Sequence, residues 1–139
     1  MAENKPSINE SPATAPNTGD EPYDVIIIGA GAAGLGVAIA VMHTGIENYL
    51  IVDRHEVGAS FAAWPAETRF ITPSFPSNSI GMLDLNSIAI GISPAFNMRI
   101  EHPTGQEFAS HLQGIADFFE LPVRENTDVK SINKVGDLF

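Results

Sequence analysis

Cysteine is absent from the 139-residue chain, so it can build no disulfide framework, no thiolate zinc site and no redox-active cysteine pair. Redox chemistry would have to come from a bound cofactor. Cations are scarce: 7 Lys plus Arg stand against 17 Asp plus Glu, a formal net charge of −10. Nucleic acid is thereby excluded as an expected partner, because its phosphates are held by clustered cations. The first 21 residues hold one lysine and no apolar stretch, which fits neither a secretory signal nor an Arg-rich transit peptide. Rich in Pro, Asn, Ser, Glu and Thr, they cannot offset the entropy of ordering, and a disordered tail is expected over residues 1–21. One domain is expected over 22–139, in the cytoplasm. The four histidines, at 43, 55, 102 and 111, lack metal-ligand spacing, so no metal site is expected and they read as surface or capping residues.

One long uncharged run is present, "VIIIGAGAAGLGVAIAVM" over residues 25–42. About 18 apolar residues is the lower bound for a membrane-spanning helix. Four glycines at 29, 31, 34 and 36 and a β-branched opening argue against one, as does the lack of Lys or Arg within ten residues of either end. The run instead divides into a strand and a helix. "YDVIII", starting at Tyr23, has strand composition and stops at Gly29, and we expect it to be buried. From Gly34, Leu35, Ala38, Ile39 and Met42 share a helical face, with Gly45 as terminator. "NYLIVD" then supplies a second strand, completing a βαβ unit.

Gly29-Ala30-Gly31-Ala32-Ala33-Gly34 is the Gly-x-Gly-x-x-Gly turn that such a unit uses to hold a dinucleotide. The first glycine permits the sharp turn, the second lets a pyrophosphate approach the backbone, and the third allows close packing of helix on strand. The helix N-terminus presents free N–H groups and its positive dipole end. Asp53, nineteen residues beyond Gly34 at the end of the second strand, can accept both hydroxyl hydrogens of an adenosine ribose. This fingerprint does not separate FAD from NAD(P).

Proline recurs between His55 and Pro103 with no sustained period, so irregular structure with short helical pieces is expected there. "TGQE" at 104–107 has capping-box spacing and opens a helix with Phe108, Leu112, Ile115 and Phe119 on one face, ending near Glu120. Asp117 and Glu120, at i and i+3, read as a solvated face. A short strand is expected at Pro122–Arg124 and an alternating one at Val129–Val135. "VGDLF" then reads as a hairpin turn that leaves an unpaired edge.

The stretches "DVIIIGAGAAGLGVAIAVMHTGIENYLIVDR", "VGASFAAWPAETRFITPSFPSN" and "HPTGQEFASHL" resemble the N-terminal part of FAD/NAD(P)-binding oxidoreductases of the flavin-containing monooxygenase type. The resemblance runs from about Tyr23 to Phe139, and its middle segment carries a Gly-x-Ser-Phe-x-x-Trp-Pro pattern at 58–65. It implies an α/β fold, an incomplete Rossmann-like FAD/NAD(P)-binding domain, and NAD(P)H-dependent, FAD-mediated oxidation. Carried over by motif, Gly29, Ala30, Gly31, Ala32, Ala33 and Gly34 would line the pyrophosphate and Asp53 would meet the adenosine ribose. Asp53 stands where Glu is more usual in FAD proteins, and Phe61 where the family has tryptophan. Arg54 would pack against the adenine or meet a phosphate, although a plain surface arginine fits as well. Ser60 is a candidate donor to the flavin, and Phe61 and Trp64 are candidate walls around it or, equally, core aromatics. Val129, placed in a third parallel strand, would offer its backbone to the adenine edge. No catalytic side chain is assigned.

The family's second glycine motif, for NADPH, and its Ala-Thr-Gly-type segment do not occur in this sequence. The chain is therefore expected to be an N-terminal fragment whose NADPH site lies elsewhere. Two other readings remain open: a non-catalytic adenine-dinucleotide module, and a half domain that a second chain completes through Val129–Val135.

Overall fold

The computed structural model describes residues 22–75 and 84–136. Chain order within them is β1 (Val25–Ile28), α1 (Ala32–His43), β2 (Tyr49–Val52), α2 (Ala59–Ala62), α3 (Pro94–Asn97), α4 (Gly105–Phe118) and β3 (Val123–Arg124). The three strands form one parallel sheet in the order β1-β2-β3, with Ile27 opposite Ile51 and Ile51 opposite Val123. Parallel neighbours need a crossover, and the helix between the first two strands is the expected βαβ arrangement. The tail expected over residues 1–21 lies outside the described residues, as does the end of the "VGDLF" turn.

Each boundary has a local cause. β1 begins at Val25, two residues after Tyr23, and ends where Gly29 takes φ +109°, a conformation few side chains tolerate. α1 opens at Ala32 rather than at Gly34, with Gly31 as its N-cap, and Thr44 and Gly45 (φ +81°) close it. α4 opens with the full capping box: Glu107 N–H donates to Thr104 Oγ1 at 3.2 Å, and Thr104 N–H donates to Glu107 Oε2 at 2.8 Å. Those bonds from Thr104, backbone first, hold the Glu107 carboxyl below its usual pKa.

α1 and α4 cover the sheet face that carries Ile27 and Ile51. There Leu35, Ala38 and Ile39 of α1 meet Phe108, Leu112 and Ile115 of α4 in one core. β2 is buried along its whole length, as a central parallel strand should be.

The structure corrects three expectations. β1 is not a buried strand, since Ile26 and Ile28 are 55% and 54% exposed. They point away from the helical layer, because side chains alternate across a strand while the two helices cover one face. No strand among the described residues runs from Val129 to Val135. The third strand is Val123–Arg124, and residues 128–136 are exposed. Their alternating pattern has no described strand to pair with, and alternation alone cannot supply the ladder hydrogen bonds. His111 is not a surface histidine but is buried in α4 at 7% exposure. The helical period that puts Phe108, Leu112 and Ile115 on one face puts position 111 there too.

Candidate functional site

The glycine turn leaves β1, tightens over two residues and enters α1. Gly29 donates its N–H to the Val52 carbonyl at 2.8 Å, tying the turn to the end of β2. A side chain on Gly34 would overlap the Gly29 carbonyl oxygen, so only glycine lets the first turn of α1 lie this close to the strand. A side chain on Gly31 would meet nothing within 4 Å. The backbone there is open to whatever approaches the helix end.

That helix end presents backbone amides. The first intrahelical bond runs from Leu35 N–H to Gly31 C=O at 3.0 Å, so the amides of Ala32, Ala33 and Gly34 have no partner within the helix. No side chain caps it and no acid lies in its first turn. Free N–H groups, the positive end of the helix dipole and open space at Gly31 suit an anionic group such as a pyrophosphate. The residues present thus fit the cofactor class that the motif implies.

Ala30 has a different place. It is fully buried; its N–H donates to Asp53 Oδ2 at 2.7 Å and its carbonyl accepts from Gly58 N–H at 3.1 Å. Both backbone groups are therefore engaged inside the protein. Asp53 is the hub of this junction. Its Oδ1 accepts from His55 N–H at 2.8 Å in a local turn, its N–H donates to the Arg124 carbonyl at 3.1 Å, and its carbonyl accepts from Thr127 N–H at 2.7 Å. The glycine turn and the chain beyond β3 converge on this one partly exposed residue, the first on its carboxylate and the second on its backbone. Each carboxylate oxygen keeps a lone pair beyond the bond it already accepts.

Arg54 is exposed beside Asp53. Gly58, at φ +75°, opens α2 and carries the bond to Ala30, which docks α2 against the glycine turn. Ser60 lies exposed on α2. Phe61 and Trp64 sit in an aromatic cluster with Phe70 and Phe108, with ring centroids 4.9 Å apart for Phe61–Phe108 and 5.2 Å for Trp64–Phe70. Gly105 is needed beneath them, since a side chain there would strike the Phe61 carbonyl oxygen and the Trp64 Cβ. Val129, two residues beyond Thr127, is in no strand and is 38% exposed.

Two features escape a reading of the sequence. Glu125 Oε1 accepts from Val57 N–H at 2.8 Å and, with Glu56, Gln113 and Asp117, lines a cavity of about 480 Å³. Buried Asp84 accepts from Ser93 Oγ at 2.5 Å and from Asn86 N–H at 2.9 Å, on the wall of a more apolar cavity of about 630 Å³ lined by Ile88, Ile92 and Phe96. Neither set has a spacing signal: packing of distant segments assembles the first, and the second is built by residues 84–96 folding back on themselves without a regular period. Among the described residues no group of His, Asp or Glu is arranged to hold a metal ion, and no helix is long and apolar enough to cross a membrane.

Comparison with known proteins places this architecture. Residues 26–139 match the family described as pyridine nucleotide-disulphide oxidoreductase, and the chain belongs to that FAD/NAD(P)-binding oxidoreductase family. It is 30% identical over 118 residues to the uncharacterized oxidoreductase CzcO of Bacillus velezensis, covering 84% of this chain and 31% of that protein. It is 28% identical over 118 residues to the CzcO of Bacillus subtilis, again covering 84% and 31%. Among solved structures, a flavin monooxygenase from Stenotrophomonas maltophilia superposes with TM-score 0.60 at 22% identity, covering 82% of this chain and 31% of the other. The bacillithiol disulfide reductase of Staphylococcus aureus gives TM-score 0.59 at 21% identity, covering 83% and 32%. These likenesses establish the Rossmann-like flavoprotein fold. The chain spans about 31% of the length of the curated CzcO relatives.

Proposed function

We propose that this chain is the FAD-binding part of an NAD(P)H-dependent flavoprotein oxidoreductase of the monooxygenase type. The observation that carries the reading is the N-terminus of α1: amides at Ala32, Ala33 and Gly34 that no side chain among the described residues caps, open space at Gly31, and Asp53 bonded to the same turn. In this reading the pyrophosphate of FAD lies against Gly31 and those three amides. Asp53 uses its spare lone pairs for the adenosine ribose. Gly29 and Ala30 then shape the turn, while Gly34 lets the helix sit beside it. Arg54 lies on the adenine side, and Ser60, Phe61, Trp64 and Val129 remain candidate contacts in decreasing order of support from the geometry. The flavin itself supplies hydride and oxygen chemistry. This part of the protein binds and orients it, and the NADPH site lies outside the chain.

The test is a titration of the purified chain with FAD and, separately, NADPH, following the visible spectrum, flavin fluorescence and thermal shift. Saturable FAD binding is expected, with at least tenfold weaker binding in Gly31→Val, whose Cβ meets no protein atom and whose side chain stands where the pyrophosphate would lie. Stabilisation by ADP or NAD(P) without flavin uptake would assign the site to a non-catalytic adenine-dinucleotide module instead.

A further inference from the structure

Five side chains among the described residues are polar and buried, and four of them form one hydrogen-bonded chain. Asn86 Nδ2 donates to Ser74 Oγ at 2.8 Å, Asn86 N–H donates to Asp84 Oδ1 at 2.9 Å, and Ser93 Oγ donates to Asp84 Oδ2 at 2.5 Å. Each of these donors to Asp84 is neutral, and no salt bridge among the described residues includes it. The fifth buried group, His111 of α4, lies within electrostatic reach of Asp84, yet burial is the larger influence on its ring and favours the neutral form. The protein thus holds an acid inside without a countercharge, which costs stability unless something else supplies one.

That acid stands in the wall of an otherwise uncharged surface. From Leu85 to Met98 the chain carries no charged side chain, although the whole has 17 Asp plus Glu and 7 Lys plus Arg. Turning back at Gly91 (φ +81°), this stretch encloses the cavity of about 630 Å³, in which Asp84 is the one charged residue among the described walls. Ile90 and Phe96 line it and are largely exposed, so its mouth faces solvent. The volume suits a small organic molecule. None of the lining residues belongs to the glycine turn or to the Asp53 junction. We propose that this cavity binds a small organic ammonium ion, its apolar body against Ile88, Ile92 and Phe96 and its N–H groups on the lone pairs that Asp84 keeps beyond the bonds it already accepts. A carboxylate or phosphate ligand would meet like charge, and a neutral apolar one would seal the acid from water with no partner. An ammonium group supplies the missing charge, and its bond to a carboxylate is stronger than a neutral hydrogen bond. The inference stands on the cavity and its acid, and needs no bound cofactor.

The test titrates the full chain, without FAD and at about pH 8, with n-octylammonium, 1-octanol and octanoate, three probes alike but for the end group. Isothermal calorimetry reads affinity and stoichiometry, and amide chemical shifts locate the binding. One ammonium per chain is expected, held at least tenfold more tightly than the alcohol, with no saturable uptake of octanoate and with shift changes centred on residues 84–96. Asp84→Asn keeps the shape and removes the charge, and the advantage over the alcohol is expected to vanish. Ile90→Lys, at an exposed position outside the buried network, is expected to weaken ammonium binding at least tenfold at an unchanged melting temperature, so the test does not depend on how the Asp84 variant folds. Equal binding of ammonium and alcohol, shift changes centred on other acids such as Glu56, Asp117 and Glu125, an advantage that survives in folded Asp84→Asn, or indifference to Ile90→Lys would each overturn the inference. A chain that takes up no FAD would sink the cofactor reading and leave these readouts unaffected.

Discussion

Asp53 carries more than the motif asks of it. A carboxylate at the end of the second strand is read as a ribose ligand, yet here each of its oxygens accepts a backbone amide, one from the glycine turn and one from His55. Asp53→Asn keeps the shape but has only one acceptor oxygen, so one amide meets an NH2 group. A loss of about 1–2 kcal/mol in ligand-free stability is expected, at the lower end of charged hydrogen-bond values because the site is partly exposed. Urea unfolding without nucleotide measures it, and unchanged stability would return Asp53 to a purely ribose-binding role. His111 is a second residue with a consequence of its own. Burial lowers its pKa, an effect the Asp84 carboxylate opposes more weakly, and among the described residues its Nε2 has no hydrogen-bond partner. Folding therefore favours the neutral ring. That stability is complete above the unfolded pKa of about 6.5 and is lost as pH falls from there toward the lowered native value. The urea midpoint is expected to drop between about pH 7.5 and about pH 5.5, and to drop less in His111→Leu. Equal drops in the two proteins would exclude the histidine as the cause.

At the scale of elements, the three motif glycines do different jobs, and substitution separates them. Gly34 lies within α1 against the Gly29 carbonyl, where no side chain has room. Gly34→Ala must push the helix off the strand, and a loss of about 3 kcal/mol is expected, at the upper end of overpacking costs. Gly31, three residues earlier, has space for a Cβ, so the packing of the fold does not require glycine there. Circular dichroism melts of Gly34→Ala and Gly31→Val check the contrast; equal melting temperatures would mean that α1 can shift without cost. The turn at Gly29 and the close packing at Gly34 were legible in the spacing, since the pattern assigns those tasks to its first and third glycines. Ala30 was not so legible. Nothing in the sequence says that Gly58, 28 residues onward, donates to its carbonyl.

For the whole molecule, the decisive property is which surfaces are left open. Local periodicity placed β2, α1, the capping box and α4 close to their observed positions, because each depends on contacts within a few residues. The margins were misplaced. An alternating sequence at Val129–Val135 suggested the open edge there, whereas among the described residues the sheet ends at β3 (Val123–Arg124) on that side and at β1 on the other.

The residues alone specify a βαβ unit, a glycine turn with an acid at the right distance, and the absence of thiol chemistry. Those features are written in neighbouring positions and in composition. Tertiary structure decides that Asp53 and Gly58 bind opposite ends of the Ala30 residue, that Phe61 and Trp64 join the Phe70–Phe108 cluster, and that His111 is buried. It also decides that β1 is a margin. Such facts depend on which distant segments close over a side chain or an edge, and no local pattern encodes where a packed layer stops.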